Sequence, residues 1–321
     1  MKEVSDAGVF GVAVSEEAAS LVYLPIPWEV TTSYGGGTSN GPKAIEAASI
    51  QVDLFDSDVL KPHEAGLFML PEDPAIRAMN DKAKGASLEE VNAAGAKLNE
   101  IVYQAAKTQL NAGKIVGVVG GDHSVPFGSI RAHAEKFPGM GILHFDAHSD
   151  TRAAYEGFIW SHASILYNVL ENISGLGRTV QVGIRDYCEQ EHEFLAKNKD
   201  RIRVFYDRDL KTRSYRGERW DGLCEEIVEA LPETVYITFD IDGLDPRFCP
   251  NTGTPVPGGL DFSEANHLIG AVVRSGRKIV GFDLNEVAPG KDEWDANVGA
   301  RMLYKLSGWT LASLGKAQIR P

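Results

Sequence analysis

Residues 142–150 read Ile-Leu-His-Phe-Asp-Ala-His-Ser-Asp, a short apolar run that breaks abruptly into acids and a histidine. The same pattern recurs twice. Residues 115–119 (Ile-Val-Gly-Val-Val) run into Gly120-Gly121-Asp122-His123-Ser124, and residues 235–239 (Val-Tyr-Ile-Thr-Phe) run into Asp240-Ile241-Asp242. Apolar runs of this length without strict alternation read as strands covered on both faces, the mark of a parallel sheet. Further runs at 21–24, 180–184, 203–206 and 279–284 extend the series, and helical patterns lie between them. The clearest starts at Ser87, where Ser87 and Glu90 make a capping box, continues through Val91, Leu98, Ile101, Val102 and Ala105, and stops at Gly113. Others are expected at 161–170, 220–231, 262–273 and 295–306, with one more starting near Pro42. Strands alternating with helices specify an α/β fold. The lack of an internal repeat, low-complexity tract or linker makes residues 1–321 a single domain.

Composition narrows the partners. The chain of 321 residues has 32 Lys and Arg against 45 Asp and Glu, a net charge of −13, with 43% hydrophobic and 24% charged residues. This is the balance of a globular protein rather than a disordered or fibrous one. Its acidity disfavours nucleic acid and anionic membranes as partners, and makes a cation the simpler charged substrate. The cysteines, Cys188, Cys224 and Cys249, are odd in number and form no CxxC pair, which fits a reducing compartment. The first twenty residues contain acids and no continuous apolar core, so no secretory signal is expected there. No apolar stretch approaches the roughly 20 residues that span a bilayer. The expectation is a soluble, cytoplasmic protein.

In open parallel sheets, ligands bind outside the carboxyl ends of the strands, so the three polar clusters should meet in one crevice. Residues two apart in extended chain face the same side. Asp146, His148 and Asp150 therefore share one direction, as do Asp240 and Asp242. Four aspartates brought together repel and their pKa values rise unless a cation neutralises them. With His123 and His148 they make a donor set suited to two divalent metals about 3.5–4 Å apart, two of the carboxylates bridging. Oxygen and nitrogen ligands without a thiolate favour Mn²⁺, with Ni²⁺, Co²⁺ or Fe²⁺ as alternatives. Gly120–Ser124 or Asp240-Ile241-Asp242 alone would pass for an ordinary strand end, whereas Asp146, His148 and Asp150 at i, i+2 and i+4 rarely make a mere loop; the three in series do not pass for one. Residues 25–42, rich in Gly, Thr and Ser, form either a surface connection or a rim loop over the crevice, with Trp28 and Tyr34 as candidate contacts.

These motifs resemble the ureohydrolase superfamily of arginase, agmatinase and related guanidino-group hydrolases. Its signatures are GGDHS, DAHxD and SxDxDxxDPxxxPxxGTPxPGG. The chain has residues 120–124, residues 146–150, and TFDIDGLDPRFCPNTGTPVPGGL at 238–260, with Thr238 in place of the usual serine and Phe248-Cys249 as an apparent insertion. The likeness runs over roughly residues 20–310 and is closest to agmatinase-like sequences. It implies a three-layer α/β/α sandwich on a mainly parallel sheet of about eight strands, assembled as a homotrimer or homohexamer. It also implies two Mn²⁺ ions per subunit, one on His123 and Asp150, the other on His148 and Asp242, with Asp146 and Asp240 bridging. His162 matches the family's proton-shuttling histidine, and Glu286 the glutamate that binds the guanidinium. The reaction implied is attack on the guanidinium carbon, protonation of the departing amine by Asp150 or His162, and release of urea.

Agmatine, giving putrescine for polyamine biosynthesis, is the leading substrate, with arginine or another guanidino acid as the alternative. In the segment after the second cluster, Arg152 could face a carboxylate and Glu156 an amine, or the two could pair with each other. Formimidoylglutamase ranks third, because its pattern lacks His162. Single-metal zinc deacetylases lack the GGDHS histidine, and a binuclear phosphoesterase would need a GNHE-type segment that the chain does not have. A catalytically silent binding subunit would have lost a ligand, and none is missing.

Overall fold

Every apolar run singled out above lies in a strand. The computed structural model describes residues 8–321. Its strands are β1 (Leu21–Ile26), β2 (Val59–Leu60), β3 (Leu67–Met69), β4 (Ile115–Gly120), β5 (Gly141–Phe145), β6 (Thr179–Ile184), β7 (Ile202–Tyr206), β8 (Thr234–Asp240), β9 (Lys278–Asn285) and β10 (Gln318–Ile319). Eight of them form one sheet in the order β3-β1-β4-β9-β8-β5-β6-β7, parallel throughout. β2 and β10 pair antiparallel in a separate two-stranded ribbon. The short strands β2, β3 and β10 escape the sequence pattern because two or three residues show no periodicity.

Helices cover both faces of the sheet. Along β8, Val235, Ile237 and Phe239 enter the core that holds Ile45, Leu268 and Met302. Tyr236 points the other way, to Ile142, Ile165 and Val169. Helices Gly41–Ser49, Trp220–Glu229, Phe262–Arg274 and Trp294–Ser313 therefore pack on one face. Helices Pro74–Ala83, Leu88–Asn111, Phe127–Lys136 and Ile165–Asn172 pack on the other. The Ser87/Glu90 capping box is formed, with both reciprocal hydrogen bonds present. The helix expected at 161–170 begins differently. Residues His162–Ser164 make a 3₁₀ turn and α geometry starts only at Ile165. Helix Phe127–Lys136 was not anticipated because it starts directly behind the GGDHS cluster, where the polar motif hides the helical pattern.

Strands β4, β9, β8 and β5 are consecutive neighbours at the centre of the sheet, so their carboxyl ends open on one crevice. Among the described residues, no helix is long and apolar enough to cross a membrane. Of the N-terminal stretch read for a secretory signal, residues 1–7 lie outside the described residues.

Candidate active site

The three clusters do converge. At the end of β4 the chain passes so close to the rim loop that a Cβ on Gly121 would collide with the carbonyl of Trp28, and the Asp122 N–H donates to that carbonyl at 2.8 Å. The close approach turns His123 inward. Its Nδ1 stands 3.0 Å from Asp146 Oδ2, 3.2 Å from Asp240 Oδ2 and 3.4 Å from Asp150 Oδ2. Its Nε2 is 2.9 Å from Thr238 Oγ1, which donates its own proton to Asp283 Oδ1 at 2.8 Å. The hydroxyl must then accept from Nε2–H, so Nδ1 faces the carboxylates; against burial, Asp146, Asp150 and Asp240 raise the imidazole well above its usual value, and a cation among them would take the place of the Nδ1 proton. A second group adjoins the first: His148 Nδ1 is 3.4 Å from Asp146 Oδ1 and 3.1 Å from Asp242 Oδ2. Asp146 belongs to both groups, as a bridging ligand would.

Burial sets the electrostatics of the cluster. Burial and the charge of Asp146 push Asp150 up to about 7, and burial with Asp242 and Asp146 raises Asp240 well above the carboxylate range. Burial also works against a charged Asp146, yet the imidazoles of His144, His123 and His148 hold it well below the usual value. Several buried carboxylates around one imidazole nitrogen need positive charge, and an oxygen and nitrogen donor set without thiolate fits hard divalent cations. Asp150 (φ 55°) and Glu286 (φ 63°) both occupy the left-handed region. For residues with a side chain this costs roughly 1–3 kcal/mol and tends to persist at functional sites.

Glu286 follows β9. Its N–H donates to Gly121 O at 2.8 Å, and its Oε1 accepts from the His123 N–H at 2.9 Å. Its Oε2 is buried in the cleft wall without a hydrogen-bond partner among the described residues. Burial and the nearby Asp122 raise its carboxyl well above the usual range, so a cation placed there would restore its charge. His162 lines the same cleft with Nδ1 3.9 Å from Glu286 Oε1, and burial pushes it down to about 3. Its N–H donates to Thr31 Oγ1 at 3.1 Å, and that hydroxyl donates to Asp122 Oδ2 at 3.1 Å.

The loop at 25–42 is thus a rim loop, but its expected contacts are corrected. Trp28 is wholly buried against the helical layer with Leu98 and Val102, Tyr34 is 88% exposed, and Ser33 is the loop residue that lines the cleft. Glu29 pins the loop by accepting from the N–H groups of Gly37 and Ser39 and pairing with Lys84. Arg152 lines the cleft as expected, with its Nε 3.4 Å from Glu191 Oε2 and its guanidinium 5.1 Å from the centre of the Tyr155 ring. Glu156 does not line it. The tight turn in which Tyr155 and Phe158 exchange backbone hydrogen bonds carries Glu156 outward, so it neither faces the cleft nor pairs with Arg152.

Sequence reasoning missed Asp186, Glu191 and Thr254 in the cleft wall and His144 beneath the aspartates. His144 had a usable signal, since it precedes Asp146 by two residues in a strand and must share its face. Glu191 had none, because it enters from a helix forty residues away from the group it supports, the Thr151 N–H.

Comparison with known proteins supplies independent findings. Residues 19–308 match the model of the arginase family. The chain is 32% identical over 294 residues to the N(1)-aminopropylagmatine ureohydrolase of Thermus thermophilus, covering 91% of this chain and 90% of that protein. It is 33% identical over 302 residues to the agmatinase of Proteus mirabilis, covering 89% and 87%. Among solved structures, the agmatine ureohydrolase of Thermoplasma volcanium superposes with a TM-score of 0.76 at 25% identity, over 98% of this chain and 96% of that one.

Proposed function

The chain belongs to the arginase family, hydrolases of guanidino compounds, and from that premise we propose that it cleaves agmatine to putrescine and urea with two Mn²⁺ ions. His123 and Asp150 would hold one ion, His148 and Asp242 the other, and Asp146 and Asp240 both. When bound, such a pair of ions supplies a hydroxide-strength nucleophile near neutral pH. The remaining roles fall to the protein. Glu286, with Oε1 already engaged by the His123 N–H and Oε2 free, would take the guanidinium through a charge-assisted hydrogen bond and so hold the carbon for attack. His162, neutral because of its burial, would accept a proton there and pass it to the departing amine. Asp150 is the alternative proton carrier. The cytoplasm, one domain over residues 1–321 and a homotrimer or homohexamer complete the proposal.

The observation that carries the substrate is the charge of the cleft beyond the ligands. Arg152 is already paired with Glu191, whereas the Asp186 carboxylate at the mouth is 66% exposed and, among the described residues, pairs only with His148 Nε2, at 4.0 Å. A mouth of this kind suits the amine of agmatine better than the carboxylate of arginine or a guanidino acid. Relatives named for agmatine and its aminopropyl derivative support a cationic tail. The test is urea release from agmatine, N(1)-aminopropylagmatine, arginine, guanidinobutyrate and guanidine by Mn²⁺-loaded and Ni²⁺-loaded protein. Agmatine or its aminopropyl derivative should lead. Urea from arginine alone would reject the cationic tail and keep the reaction class.

A further inference from the structure

Directly beneath the carboxylates the sheet changes character. Gln181, His144, Thr238 and Asp283 are register partners across β6, β5, β8 and β9, and all are fully buried. Partners in register project to the same side of a sheet. They form a polar row one step below the cluster, in a sheet whose neighbouring rows are apolar. Buried polar groups are costly unless hydrogen-bonded, so each member of the row needs a partner. Thr238 and Asp283 orient His123, as described above.

The other half of the row has no part in the chemistry proposed for the site. Gln181 Nε2 donates to the carbonyl of Ser149 at 2.7 Å. A carbonyl only accepts, so this contact settles which end of the amide is the nitrogen. The same nitrogen lies 3.0 Å from His144 Nδ1, which must therefore accept. The ring proton is left on Nε2, 2.8 Å from Asp146 Oδ2. Both ring nitrogens are thereby committed. Although His144 clusters with His123, Asp146 and Asp150 in a group able to hold an ion, it has no lone pair to offer one. The other oxygen of Asp146, Oδ1, accepts from the His148 N–H at 2.5 Å. Each carboxylate oxygen thus has one fixed donor and one open direction.

We propose that His144 is a positioning residue: oriented by Gln181, it donates Nε2–H to Asp146 Oδ2 and sets the rotamer in which that carboxylate can bridge two ions, without binding either. The proposal rests on the two-metal reading of the site. Outer-shell partners of this kind typically change metal affinity by about 10–100-fold when removed.

The experiment measures Mn²⁺ per chain against buffered free Mn²⁺, with electron paramagnetic resonance to detect an exchange-coupled pair and melting of the metal-free protein to check folding. Wild type should bind two ions with a coupled signal. His144→Ala should bind them about 10–100-fold more weakly and lose the coupling, with the melting of the metal-free protein kept. His144→Gln, which can still offer an N–H toward Asp146, should recover most of the affinity. Gln181→Leu should weaken binding to a smaller extent, and it keeps the test open if His144→Ala does not fold. Unchanged affinity and coupling in His144→Ala would overturn the proposal and leave the two-metal reading standing. Anomalous scattering from an ion at bonding distance of His144 would also overturn it, by making His144 a ligand. A wild-type chain that takes up no metal would instead sink the two-metal reading.

Discussion

Asp150 shows how a single residue would couple proton and metal. Its backbone is held at φ 55°, and its carboxyl is pushed up to about 7 by burial and the charge of Asp146. Because its metal-free pKa is raised, it carries a proton below that pH, and an incoming cation must displace it. Metal affinity should therefore fall as the pH drops through about 7, with this carboxyl alone contributing about tenfold per pH unit, as read by Mn²⁺ retention in buffered dialysis. Constant retention from pH 8 to pH 5.5 would contradict this. Glu286 supplies the second residue-scale prediction. In Glu286→Gln the group proposed to take the guanidinium loses its charge, and removal of one partner of a buried charge pair costs about 2–5 kcal/mol. kcat/KM should fall by about two to three orders of magnitude while the Mn²⁺ content stays at two per chain. The clustered donors were legible as short polar runs at strand ends, but alternation does not aim them all, because Asp150 is left-handed and Asp242 sits in the 3₁₀ turn Ile241–Gly243. Glu156 was misjudged because a four-residue turn at 155–158, not a strand, decides where it points.

At the scale of elements, the site depends on loops being held as firmly as the strands that bear them. Arg185, at the end of β6, donates to the carbonyls of Asp242 (2.7 Å), Leu244 (3.1 Å) and Val256 (3.0 Å), and to Gly183 (3.0 Å). One side chain thus ties the segment carrying Asp242 and Thr254, which follows β8, to the end of β6, across the intervening β5. The near-isosteric but uncharged Arg185→Met would leave several of these carbonyls without donors, at about 2 kcal/mol or more. We expect a lower urea midpoint with unchanged slope, and weaker Mn²⁺ binding through Asp242. An unaltered midpoint would show that water replaces the clamp. The apolar runs identified the seven longer strands, six of them buried almost throughout and the edge strand β7 only in part. It could not identify β3 or the ribbon of β2 and β10, whose pairing comes from neighbours rather than from their own residues.

For the whole molecule, the net charge of −13 is concentrated in consequence rather than in amount, because four of the acids meet in one buried cluster. Cations that bind the folded state alone stabilise it by about 2.7 kcal/mol per site at a hundredfold excess over Kd. Mn²⁺ should raise the melting temperature of chelator-treated protein by several degrees, and Asp146→Asn should abolish most of that gain. Equal melting with and without Mn²⁺ in the wild type would argue against a built metal site. The sequence by itself determined the parallel α/β architecture and the identity of the clustered donors, because burial on both faces and position at a strand end are local properties of the chain. Only the tertiary structure decided that β4, β9, β8 and β5 are neighbours, that Arg152 answers to Glu191, and that Gln181, His144, Thr238 and Asp283 form one row. Strand order and register bring together residues as far apart as 144 and 283, and neither is written in any local run of sequence.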